Sequence, residues 1–186
     1  DSAQELSWRI GFEITYLLAA YDAGVVAAIQ SIQSQAVTTY FSSIYVYGYV
    51  FLLVFPILAY VSLSDRKPFQ RLVVAYSLNY FLGLTLYILF IAYGPRNWDP
   101  VLYQNLLYDF TVTNSGTGYE YLTSEVNSRT NVFPSLHTSL STTVTLFAYK
   151  TRDAYPLWFG IATVLAASII VSTMYLGIHW AVDILF

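Results

Sequence analysis

The chain has 186 residues, 56% of them hydrophobic and only 10% charged, whereas a soluble domain carries about 25% charged residues. A net charge of −3 leaves no basic patch for nucleic acid, and the lack of cysteine excludes disulfides and thiolate metal sites. What fits is one membrane-embedded domain over residues 1–186. Because it starts at Asp1 rather than Met and stops at Phe186 inside an apolar run, the chain reads as a piece of a longer protein, truncated at its C-terminus.

Residues 10–32 are the first candidate element. Glu13 and Asp22 fall on opposite sides of a helix there, so the segment is expected to be either a first span with partly buried carboxylates or a tilted interfacial helix. A membrane-spanning helix needs about 20 mostly apolar residues. Residues 40–63 and 72–93 meet this need without any Asp, Glu, Lys or Arg, as do 132–149, which carry a single His, and 155–175. Residues 176–186 begin another apolar segment. The expected fold class is therefore all-α, a polytopic transmembrane helical bundle of about six spans in the complete protein.

The connections set the topology. Residues 64–71 and 150–154 are short and basic, and hold Arg66, Lys67, Arg71, Lys150 and Arg152. Residues 94–131 form a long polar loop with Asp99, Asp109, Glu120 and Glu125 against Arg96 and Arg129. Counting crossings puts both basic loops on one side, the cytoplasmic side by the positive-inside bias, and the long loop on the other.

On this topology the unusual residues converge at the non-cytoplasmic end. Arg96 follows the span 72–93. Arg129 and Asn131 precede the span from 132, and His137 lies in its first turns. His179 and Asp183 come just after 155–175. Polar residues at membrane depth are costly and functional by default. Pro134 suits a first helical position, and Ser135 then offers a hydroxyl and N–H groups at a helix N-terminus, which favour anions. Arg96 can present a planar donor fork to phosphate oxygens. Asp183, four residues after His179, can orient the imidazole if both lie on a helix.

Phe133-Pro134-Ser135-Leu136-His137 resembles the second signature of the type 2 phosphatidic acid phosphatase superfamily, usually Pro-Ser-Gly-His. Ser172-Thr173, His179 and Asp183 resemble the third, usually Ser-Arg, five residues, His, three residues, Asp. The usual first signature, Lys, six residues, Arg-Pro, is replaced by Gly94-Pro95-Arg96. Leu136 for Gly, Thr173 for Arg and the Pro-Arg order resemble the subgroup containing inositol phosphorylceramide synthases. The likeness covers roughly residues 40–186.

The resemblance implies a lipid phosphatase or lipid head-group phosphotransferase of the plasma membrane, with its site on the non-cytoplasmic face. His179 would attack phosphorus to form a phosphohistidine, Asp183 would orient it and His137 would protonate the leaving oxygen. Arg96, Ser135 and Arg129 would bind the phosphoryl oxygens, with neither metal nor cofactor. The expected partners are a lipid phosphate and the bilayer. Two readings stand beside this one: a transporter with a proton-relay histidine pair, for which Asn79 is the best deep polar residue, and a metal-dependent hydrolase using His137, His179 and Asp183 as ligands.

Overall fold

The computed structural model describes residues 2–22, 24–107 and 132–185. In chain order the elements are α1 (Ser2–Ile10), β1 (Phe12–Glu13), α2 (Thr15–Asp22), α3 (Val25–Gln30) and α4 (Gln35–Ser43). A π-helical turn, Ile44–Gly48, leads into α5 (Tyr49–Val61). Then come α6 (Lys67–Leu89), β2 (Phe90–Ile91), α7 (Pro95–Trp98), α8 (Leu136–Lys150), α9 (Pro156–Tyr175) and a 3-10 turn, Val182–Ile184. The fold is all-α. Its strands are a two-residue parallel pairing of Phe12 with Phe90 and Glu13 with Ile91.

Among the described residues, three helices are long and apolar enough to cross a membrane: Gln35–Val61, Lys67–Leu89 and Pro156–Tyr175. The first is continuous through the π turn and starts at Ser34, whose Oγ accepts from the Val37 N–H at 3.3 Å. Pro68 and Pro156 lie in the first turns of α6 and α9, where their missing N–H costs no hydrogen bond. More than half of the basic stretch 64–71, from Lys67 on, is thus the opening of α6 rather than loop.

Two expectations are corrected here. Residues 10–32 do not make one helix, whether spanning or interfacial. The segment passes through β1, and Gly24 adopts a left-handed φ of 77° between α2 and α3, of 8 and 6 residues. Glu13 is exposed, whereas Asp22 is fully buried. The expected span 132–149 is helical only over the 15 residues of α8, preceded by a non-helical approach from Val132 to Ser135.

α8 packs along α9 and touches α5 and α6 as well. Small residues let the helices close up: Ala148, Ala162 and Ala166 are buried with Leu52, Val144, Trp158 and Ile169 in one core cluster. Large apolar side chains such as Val50, Val54, Leu58, Leu78 and Phe81 point outward, as a lipid-facing surface requires. Both basic connections lie at the same end. The Tyr60 and Thr151 hydroxyls are 2.8 Å apart, and the Tyr155 O–H donates to the Ala59 carbonyl at 3.0 Å. At the opposite end of the bundle lie Arg96, Ser135, His137, His179 and Asp183.

Candidate functional site

At that opposite end the last turn of α9 is shaped by one glycine. Gly177, with φ 69°, follows the helix as its left-handed stop. Its N–H donates to the Met174 carbonyl, and the Ile178 N–H donates to the Thr173 carbonyl, both at 2.9 Å. These two bonds are the paired signature of a Schellman termination. The chain reverses, and the His179 N–H also reaches the Thr173 carbonyl at 3.2 Å. Residues 176–181 are therefore a turn, not the start of another helix, and His179 projects from it.

His179 and Asp183 still meet, but across the turn and the 3-10 segment rather than along an α-helix. His179 Nδ1 lies 3.5 Å from Asp183 Oδ2, and both side chains are buried. Asp183 Oδ2 accepts the Trp180 N–H at 2.9 Å. With Nδ1 facing the carboxylate, Nε2 is the nitrogen left to act as nucleophile or base. Among the described residues, His179 Nδ1 and Asp183 Oδ1 have no hydrogen-bond partner, and Nδ1 stands at ion-pair distance from Oδ2.

His137 is the second residue of α8, and its ring centroid is 6.0 Å from that of His179. Two tyrosines that sequence reasoning missed hold it. Tyr45 stacks on it at 4.7 Å and Tyr49 packs against it at 4.4 Å. Tyr45 belongs to the π turn, a feature often found at functional sites. Ser135 is the N-cap of α8; its Oγ accepts from the Thr138 N–H at 3.3 Å and the Thr138 hydroxyl at 3.1 Å. Pro134 stands one residue before that cap, not at the first helical position as expected.

Arg96 sits in α7, buried, and its Nη1 donates to Asn105 Oδ1 at 3.1 Å. The turn carrying it docks on the turn carrying His179, because the Arg96 N–H donates to the Gly177 carbonyl at 3.1 Å. A Cβ on Gly94 would lie 2.3 Å from the Ile178 carbonyl oxygen, so only glycine permits this contact. Trp180 locks the same junction, its Nε1–H donating to the Tyr93 carbonyl at 2.8 Å. Arg129 and Asn131 lie outside the described residues.

The structure brings together Arg96, Ser135, His137, His179 and Asp183 at one end of the bundle. Such a group can bind an oxyanion on a guanidinium and a helix N-terminus, and can supply a nucleophilic imidazole with a second imidazole nearby. Among the described residues, no group of three or more His, Cys, Asp or Glu is placed to hold a metal ion. Asn79 is taken up by helix packing: it donates to the Ala75 carbonyl at 2.9 Å and to Thr143 Oγ1 at 3.3 Å, and accepts from the Ser139 hydroxyl.

The family model described as PAP2 superfamily matches residues 19–185. The chain belongs to the PAP2 superfamily. No curated protein matches it, and neither does any solved structure. As a PAP2 protein it accommodates its two unusual motif residues in definite ways. Leu136, where the superfamily signature usually has Gly, packs on Gly83 of α6; a Cβ there would lie 2.5 Å from Leu136 Cδ2. Thr173, where the signature usually has Arg, is buried, and its hydroxyl donates to the Ile170 carbonyl at 2.8 Å. Its side chain is turned into its own helix, and Arg96 is the arginine whose backbone docks on the His179 turn.

Proposed function

We propose that this PAP2 protein cleaves phosphate esters of lipids through a phosphohistidine at the non-cytoplasmic face of the plasma membrane. His179 Nε2 attacks phosphorus, the bond to the lipid oxygen breaks, and His137 gives that oxygen its proton. Asp183 holds His179 Nδ1 and stabilises the positive imidazole. Arg96, Ser135 and Arg129 neutralise the phosphoryl oxygens. Water then attacks phosphorus, its proton passes to His137, and the phosphorus–nitrogen bond breaks. An alcohol acceptor in place of water makes the same site a head-group transferase. That alternative rests on Leu136, Thr173 and Pro95-Arg96, which resemble the inositol phosphorylceramide synthase subgroup.

One observation carries the lipid assignment. An apolar groove of about 620 Å³, open on the lipid-facing surface, runs along α5, lined by Tyr45, Val50, Phe51, Val54 and Leu58, among other apolar side chains, and His137 borders it. A chain seated there would carry its phosphate to the histidine pair. The depth also suits an amphiphile. The 15 residues of α8 rise roughly 22 Å against a hydrocarbon thickness of roughly 30 Å. With Lys150 at one boundary, Ser135 and His137 lie inside the other.

The test uses radiolabelled long-chain lipid phosphate and glycerol 3-phosphate, each with and without an acceptor alcohol, on purified protein. Val54→Trp narrows the groove and is expected to raise KM for the lipid about ten-fold, the effect of losing about 1.4 kcal/mol of binding. Turnover of glycerol 3-phosphate should not change. Equal effects on both substrates, or no hydrolysis or transfer at all, would end the lipid reading.

A further inference from the structure

Asp22 takes no part in the proposed chemistry, yet it is fully buried and both its oxygens are engaged. Oδ1 accepts the Ala181 N–H at 2.9 Å, and Oδ2 accepts the Val26 N–H at 3.3 Å. Asp183 Oδ2 accepts the N–H of the residue before Ala181, Trp180, at 2.9 Å. Two consecutive N–H groups directly after His179 are thus held by two carboxylates, one local and one 159 residues away in the chain. Burying a carboxyl group is costly unless it is hydrogen-bonded, and the packing of an apolar bundle has no need of one.

The position of Asp22 is fixed independently of the turn it holds. Gln30, at the far end of α3, donates from Nε2 to the Tyr175 and Gln104 carbonyls, both at 2.9 Å. Its Oε1 accepts the Gln104 N–H at 3.0 Å. Gln104 precedes Asn105, the partner of Arg96. The helix α3 is therefore pinned at its far end to the last turn of α9 and to the chain beside Asn105, while the Val26 N–H at its near end holds Asp22, the last residue of α2.

We infer that Asp22 is a positioning residue for His179, setting the turn 179–183 against α9 and Arg96. The inference rests on the proposed reaction for its kinetic readout and on geometry for a second one. Purified wild type, Asp22→Ala, Asp22→Asn and His179→Ala are compared on long-chain lipid phosphate. Amide exchange of a peptide covering 178–185 is followed by mass spectrometry. Asp22→Ala is expected to lower kcat about 30-fold, within the range for a displacement near 1 Å, with KM within about two-fold and faster exchange at 178–185. Asp22→Asn keeps an acceptor for the Ala181 N–H, and should recover kcat to within about five-fold of wild type with exchange restored.

Wild-type kcat in Asp22→Ala beside an inactive His179→Ala overturns the inference and leaves the reaction standing. Wild-type turnover in His179→Ala removes the reaction, and exchange alone then decides: no acceleration in Asp22→Ala overturns the anchor. If Asp22→Ala does not fold, Asp22→Asn decides. Near-normal kcat and protected amides support positioning. A loss above about 30-fold with those amides protected assigns Asp22 to charge rather than position, and overturns it.

Discussion

His137 and His179 are the only histidines in the chain, and the fold gives them different surroundings. His179 faces a buried carboxylate at 3.5 Å, which suits a nitrogen that gains positive charge as it attacks. His137 is held between tyrosine rings beside an apolar groove. If the first is the nucleophile and the second the general acid, they should respond differently to the leaving group. An alkoxide leaves poorly without a proton, whereas a nitrophenolate needs little help. His137→Ala should thus lose about 100-fold or more on a lipid phosphate and far less on nitrophenyl phosphate. Steady-state rates on both substrates check this, and equal losses would count against the acid role. His137, His179, Asp183, Ser135 and Arg96 were legible because polar residues between charge-free spans stand out, and crossing counts put them at one end. Tyr45 and Tyr49 were not, since 18 tyrosines hide any two, and the π turn that aims Tyr45 leaves no periodic trace. Gln30 acts on backbone 74 and 145 residues away, which no local pattern encodes.

At the scale of elements, the site is held by turns rather than by the helices they end. Gly177 lets the chain reverse after α9, and Gly94 lets the Arg96 turn lie against Ile178. Gly94→Ala should force these turns apart, since its Cβ would lie 2.3 Å from a carbonyl oxygen. The expected cost is about 1–3 kcal/mol of stability, as for overpacked cores, together with at least about ten-fold in activity. Gly160→Ala, where a Cβ meets nothing within 4 Å, is the matched control and should be neutral or slightly stabilising. Thermal unfolding in detergent distinguishes them, and equal midpoints would refute the close-packing argument. The spans were legible because runs without Asp, Glu, Lys or Arg leave few other destinations. The segment 10–32 was not. Its breaks are set by tertiary partners, β2 pairing with Phe12 and Glu13 and the Ala181 N–H seeking Asp22, while its residues alone are compatible with helix.

At the scale of the whole molecule, the basic connections are tied together at one end and the histidines gather at the other. The proposed orientation, which follows the positive-inside bias, has the histidines outside. The chain has no cysteine, so single introduced cysteines report cleanly. One placed within 110–120 should label from outside intact cells with an impermeant maleimide, and one within 151–153 should label only after permeabilisation; the reverse pattern would put the site in the cytoplasm. The chemistry itself is tested by trapping the intermediate. Purified protein is mixed with lipid phosphate labelled at phosphorus, quenched in alkali within one turnover, and its protein-bound label followed. Wild type should hold label that is stable in alkali and released by acid, as expected of phosphohistidine. His179→Ala should hold none and turn over at least about a thousand-fold more slowly. Label of equal size in His179→Ala, or full turnover in that variant, would contradict the assignment of His179 as nucleophile.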